Sequence, residues 1–234
     1  MKKFIKVASV VLIGLLVFTG CTKINKEAAK EFKTEYESLN GQKNSKGIEH
    51  RTVSINKNNP FVKTTAEKVV EKIENGETFY LYVGDKLCPW CRSVIEKAIE
   101  VANDNKITEV LYVPIWDNEG NEILRDKFIV TEEGALEKTI EGTEAYKTLL
   151  EKFDSLLESY TIKKDDVIVN TGEKRIYAPT FIYVKNGDAK RMTTAISEKQ
   201  TDSRGELTKE ILDDEEQMLT DFFLGTTCED NTGC

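Results

Sequence analysis

Thr78-Phe79-Tyr80-Leu81-Tyr82-Val83-Gly84-Asp85-Lys86-Leu87-Cys88-Pro89-Trp90-Cys91 is the stretch that decides the fold. Thr78 to Val83 is dense in aromatic and apolar residues, as expected of a buried central strand. Gly84 to Leu87 is a turn. Cys88 and Cys91 then open a helix, with Val94, Ile95, Ala98, Ile99 and Ala102 on one side. Pro89 in the first helical turn sacrifices no hydrogen bond, because that N–H would be unpaired anyway. The first cysteine of such a pair sits at the positive end of the helix, where backbone N–H groups favour thiolate, the attacking species in disulfide exchange. The second lies one turn on, close enough to close a disulfide. Lys86 and Arg92 flank the pair as cations. A purely structural disulfide here would be a strained staple with little loop entropy to gain.

Upstream, Thr52 to Ile55 reads as a short first strand, broken by Asn58-Asn59-Pro60. Thr64 and Glu67 form a capping box for a helix with Ala66, Val69, Val70 and Ile73 inward, stopped by Asn75-Gly76. Downstream, Val110 to Ile115 is a second buried strand, and Pro114 near its end points to an edge or a bulge. Asp117 to Gly120 is a turn, and residues 121–142 are weakly patterned. Residues 143–160 carry Tyr146, Leu149, Leu150, Phe153, Leu156, Leu157 and Tyr160 at helical spacing. Val167 to Val169 reads as a short strand. Phe181 to Val184 and Ala189 to Thr194 read as a hairpin turned by Asn186-Gly187. A last helix is expected over 206–223. Strands alternating with helices imply an α/β fold, a central mixed sheet flanked by helices.

The C-P-W-C site after a buried strand, together with Tyr177-Ala178-Pro179-Thr180-Phe181 and the Asn186-Gly187 hairpin, resembles the thioredoxin superfamily. The resemblance covers about residues 50–116 and 175–223. It implies that Pro179 is a cis-proline against the reactive sulfur and that Ala178 presents backbone to a substrate peptide. Pro89, Trp90, Ala178 and Thr180 then become neighbours of the site. It also implies that about 117–174 is an insertion, expected to be helical. Thioredoxin has a buried acid six places before the first cysteine; here that place is Tyr82. A proton relay would then use water or another carboxylate, with Asp85 and Asp117 as candidates. The layout looks most like the thioredoxin-like, transport-accessory-type lipoproteins of Gram-positive bacteria.

The N-terminus supplies the address. Lys2, Lys3 and Lys6 precede an apolar run from Val7 to Phe18, too short for a membrane span of about twenty residues. Val17-Phe18-Thr19-Gly20-Cys21 resembles a bacterial lipobox, although Phe18 stands where Leu is usual. Cleavage before Cys21 and lipidation there would anchor the chain, since each buried CH₂ contributes about 0.8 kcal/mol. Residues 21–47 then read as anchor and tether, with a short helix carrying Ala28, Phe32, Tyr36 and Leu39, and residues 48–234 as the domain. Removing 1–20 takes away three lysines and no acid, so net charge moves from −8 to −11. Attachment would rest on the lipid, not on attraction to anionic headgroups.

The same negative charge argues against nucleic acid. One histidine, His50, rules out a multi-histidine metal site and reads as a surface residue. Cys228 and Cys234 read as a structural disulfide worth roughly 2 kcal/mol. A second redox pair is an alternative. Zinc on all four thiols is disfavoured by an oxidising compartment and by Pro-Trp between the first two. Trp90 reads as an exposed aromatic that grips substrate, and Trp116 as core. Asp165-Asp166 and Asp213 to Glu216 read as solvated faces or caps. The expectation is an extracytoplasmic, membrane-anchored protein thiol–disulfide oxidoreductase. Cys88 attacks, Cys91 resolves, Pro179 positions the mixed disulfide, and neither cofactor nor metal takes part. Its partners would be exported proteins or peptides, and reductase work would add a membrane electron donor. The competing expectation is a non-catalytic accessory lipoprotein that assists an exporter or holds peptides.

Overall fold

The computed structural model describes residues 23–225. Cys21, Cys228, Cys234 and the signal segment lie outside them. The central element is a five-stranded mixed sheet in the order β1-β3-β2-β8-β9. Here β1 is Phe61–Lys63, β2 is Phe79–Gly84, β3 is Val110–Pro114, β8 is Thr180–Lys185 and β9 is Asp188–Thr193. The first three run parallel, while β8 is antiparallel to both β2 and β9. The period of two along each strand divides the core into two layers. Tyr82, Tyr112 and Phe181 face α1 (Lys26–Glu37), α3 (Pro89–Asp104) and α5 (Lys209–Leu224). Leu81, Val83, Leu111, Ile182 and Val184 face α2 (Ala66–Glu74) and α4 (Glu144–Lys152). A mixed sheet covered on both faces agrees with the α/β expectation.

Several local expectations are corrected. The first strand is not Thr52 to Ile55 but β1, after Pro60. Val53 and Ile55 are buried, yet their backbone bonds go to side chains. Asn40 accepts from Val53 N–H at 3.0 Å and donates to its carbonyl at 2.8 Å, and Glu37 accepts from Ile55 N–H at 2.8 Å. These bonds satisfy the polar backbone as a ladder would. The cap of α2 is Thr65, not Thr64. Pro114 marks neither an edge nor a bulge, since β3 lies between β1 and β2; as the last residue of its strand it interrupts little of the ladder. The final helix begins at Lys209 behind the cap Thr208, later than 206.

Within the stretch read as a tether, α1 is corrected. Ala29, Phe32 and Tyr36 on α1 are buried in the main core, and Phe32 stacks on Phe61 at 4.8 Å. The helix is a layer of the domain. His50, read as a surface residue, is buried.

The insertion is mostly β rather than helical. It holds two hairpins, β4 (Lys127–Val130) with β5 (Leu136–Ile140) and β6 (Glu158–Lys164) with β7 (Val167–Arg175), and the short α4 between them. The regular stripe over 143–160 belongs to helix only as far as Lys152. Ser159 to Ile162 is rich in strand-forming residues, and Tyr160 instead lies under the Arg175 guanidinium at 4.1 Å. Asp165 and Asp166 are the two central residues of the β6–β7 turn, both at positive φ (48° and 64°). They are the turn itself, since a tight hairpin of the favoured hand needs that geometry and Asp tolerates it.

Candidate functional site

Cys88 and Cys91 sit where β2 ends, at the C-terminal edge of the parallel strands, the usual location for sites in such sheets. Cys88 is the N-cap of α3, with extended backbone, and its sulfur accepts from Cys91 N–H at 3.4 Å. Pro89 occupies the first helical turn, and no acid stands there to oppose a thiolate. Both cysteines are free thiols; Cys88 is 4% exposed and Cys91 fully buried.

The register Val83↔Thr180 between β2 and β8 places the residues before Thr180 beside the end of β2. The Ala178–Pro179 peptide bond is cis, and the Cys88 thiol lies 3.5 Å from the Ala178 carbonyl oxygen as donor. Pro179 is buried, and Ala178 is half-buried. Thr180 is also at the site, but its hydroxyl is engaged locally, donating to Tyr177 O at 2.8 Å. Trp90 is half-buried rather than fully exposed and packs against the main core cluster. Trp116 is half-buried too, so its reading as a core residue holds only in part.

The two sulfurs are electrostatically unequal. The Cys88 thiol is held below its ordinary value mainly by the hydrogen bond from Cys91. Burial opposes this, while backbone N–H groups of Cys91 and Trp90 and the charge of Arg125 assist. Cys91 is pushed well above its ordinary value by burial first and by Cys88 second. The Tyr82 hydroxyl and the Asp85 N–H, the latter 3.4 Å from the Cys91 sulfur, pull in the opposite direction. Both thiols are buried, and the first is held low while the second is held high.

Of the two carboxylate candidates, Asp85 alone touches a cysteine, and it does so through its backbone N–H rather than its carboxylate. It is buried, accepts from Leu87 N–H at 2.9 Å and Trp116 N–H at 3.1 Å, and burial raises its carboxyl to about 6. Asp117 caps its own turn, accepting from Glu119 and Asn121 N–H groups, and is excluded from the site. The two flanking cations also separate. Lys86 reaches Asn118 at 2.8 Å, away from the sulfurs. Arg92 is 1% exposed and is a structural tie. It donates to Arg51 O, Tyr36 O and Asn40 Oδ1 at 2.7–2.9 Å.

Arg125 was missed by sequence reading. It lies in the weakly patterned stretch, paired with Glu122 at 2.8 Å, and its guanidinium contributes positive potential at Cys88. Nothing in the local sequence marks it, because only the packing of the insertion brings it to the site. No family model matches the chain, and no curated protein matches it in sequence.

Proposed function

We propose that the chain has a thioredoxin-type fold and is an extracytoplasmic, membrane-anchored thiol–disulfide oxidoreductase acting on exported proteins. The observation that carries the reading is the pairing of a low-lying Cys88 thiol at a helix N-terminus with a buried Cys91 one turn on, beside the Ala178 carbonyl. The address rests on the N-terminal sequence ending at Cys21.

In the first step the Cys88 thiolate attacks one sulfur of a substrate disulfide. A Cys88–substrate S–S bond forms, the substrate S–S bond breaks, and the departing sulfur keeps the electron pair. Cys91 then attacks Cys88, so the protein ends as a disulfide and the substrate as two thiols. The reverse sequence oxidises a substrate dithiol. Trp90 and the backbone at Ala178 flank the sulfur and would hold the peptide. No cofactor takes part in either direction.

One observation favours the competing accessory role, which needs no exchange: Cys88 is only 4% exposed. Trapping in the producing cell separates the two. Cys91→Ser in the full-length chain should accumulate mixed disulfides through Cys88, resolved on non-reducing gels, and Cys88→Ser far fewer. If Cys91→Ser traps no more than the double variant, exchange is excluded and the accessory reading stands.

A further inference from the structure

The two sides of the candidate site, the turn before Cys88 and the segment leading to Ala178, are tied together by the insertion between them. On the first side, the Asp85 carboxylate accepts from Leu87 N–H at 2.9 Å and from Trp116 N–H at 3.1 Å. Trp116 pairs with Glu122 in an isolated β-bridge, and its ring lies 5.9 Å from the Arg125 guanidinium. On the second side, Arg125 Nη1 donates to the Ile176 carbonyl at 3.4 Å, and the Tyr146 hydroxyl accepts from Ile176 N–H at 3.2 Å. Side chains of the insertion therefore take both backbone polar groups of Ile176. Ala178, whose carbonyl faces the Cys88 sulfur, is two residues further on.

The tie is buried and charged. Arg125 and Tyr146 are both buried. Arg125 forks onto Glu122, with Nε 3.1 Å from Oε1 and Nη2 2.8 Å from Oε2. Arg175 approaches the same carboxylate at 3.8 Å and donates to the Asp126 carbonyl. Breaking a buried pair leaves an uncompensated charge, so such a knot resists displacement. Tyr177 is fixed as well: its carbonyl accepts from the Thr180 hydroxyl at 2.8 Å, and its own hydroxyl accepts from Thr161 N–H at 3.0 Å.

We propose that Arg125 and Tyr146 are positioning residues: by clamping Ile176 they set the Ala178 backbone where an extended peptide must pair beside Cys88, and so favour peptide disulfides over small ones. This deepens the exchange reading of Cys88 and Cys91 and rests on it. Both residues act through Ile176. Misplacing a docking group by about 1 Å can slow a reaction about 100-fold. A disulfide without a peptide backbone has no such contact to lose.

The test mixes the reduced full-length chain with a short peptide closed by one disulfide, or with hydroxyethyl disulfide. In each reaction the Cys88–Cys91 dithiol becomes a disulfide and the substrate disulfide becomes two thiols, followed by alkylation and mass. Arg125→Lys keeps the charge but loses the fork, and Tyr146→Phe removes only the hydroxyl. In each variant the peptide should slow about tenfold more than hydroxyethyl disulfide does. A residue that only stabilises the fold would lower the urea midpoint and leave the ratio of the two rates unchanged. An unchanged ratio in the folded variants overturns the proposal, and should one variant fail to fold, the ratio in the other decides. A parent that reacts with neither disulfide overturns the exchange reading, and the positioning role with it, which is a different result from an unchanged ratio.

Discussion

The Cys88 thiol and the Ala178 carbonyl oxygen lie 3.5 Å apart although 90 residues separate them in sequence. The antiparallel pairing of β2 with β8 makes this contact: once Val83 is opposite Thr180, the residues leading into β8 must pass the N-terminus of α3. The Cys88 sulfur therefore faces a half-buried backbone acceptor on one side and helix N–H groups on the other.

The inequality of the two thiols should be measurable directly. At neutral pH, iodoacetamide should label Cys88 and leave Cys91 untouched, and the Cys88 profile should lie below that of an ordinary thiol. Arg125→Gln should move the Cys88 profile upward, since a positive charge is lost. Equal labelling of the two cysteines would contradict the arrangement.

Gly84→Ala places a methyl group onto the Tyr82 phenol. Overpacking of this kind costs about 1–3 kcal/mol. Urea unfolding should register that loss. A variant as stable as the parent would mean that the phenol can move aside freely.

Arg92 holds α3, the end of α1 and the 51–55 segment together through buried carbonyls. Arg92→Leu leaves those acceptors unpaired and should destabilise the protein by about 3 kcal/mol. Arg92→Lys should recover little, because one ammonium cannot span the acceptors that a planar fork reaches. Equilibrium unfolding of both variants checks this; a near-neutral Arg92→Leu would sink it.

Glu215 on α5 is fully buried, and neither carboxylate oxygen has a hydrogen-bond donor among the described residues. Burial raises its carboxyl from 4.5 to about 7, against the opposing charges of Lys97 on α3 and Arg51. The folded state thus binds the proton more tightly than the unfolded chain. Its contribution is greatest below pH 4.5 and declines as pH rises to about 7. Glu215→Gln removes that decline, so the variant should gain stability relative to the parent between pH 5 and pH 8. Urea midpoints at the two pH values decide it, and an identical difference at both would refute the assignment.

The local chemistry of this protein is written in short segments. The strand before Cys88, the proline and cysteine at the start of α3, the Asn186-Gly187 turn and the apolar stripe of α2 each follow from propensity and period within a dozen residues. So does the α/β class. What lay beyond sequence depended on distant partners. Val53 and Ile55 have the pattern of a strand, but Asn40 and Glu37 bind their backbone first. Tyr160 continues a helical stripe, yet strand pairing and the Arg175 guanidinium hold it in a hairpin. Phe32 and Tyr36 could sit on a solvated tether until the aromatic layer of the sheet offers them a place. The same holds at the site. The two cysteines are legible as a pair opening a helix from four residues of sequence, whereas the Tyr36–Tyr82 hydroxyl contact, the positive potential from Arg125 and the Ala178 carbonyl exist only once helix, sheet and insertion have packed. Propensity acts over one turn or one strand; desolvation and hydrogen-bond direction at a buried sulfur are set by whatever the whole fold brings against it.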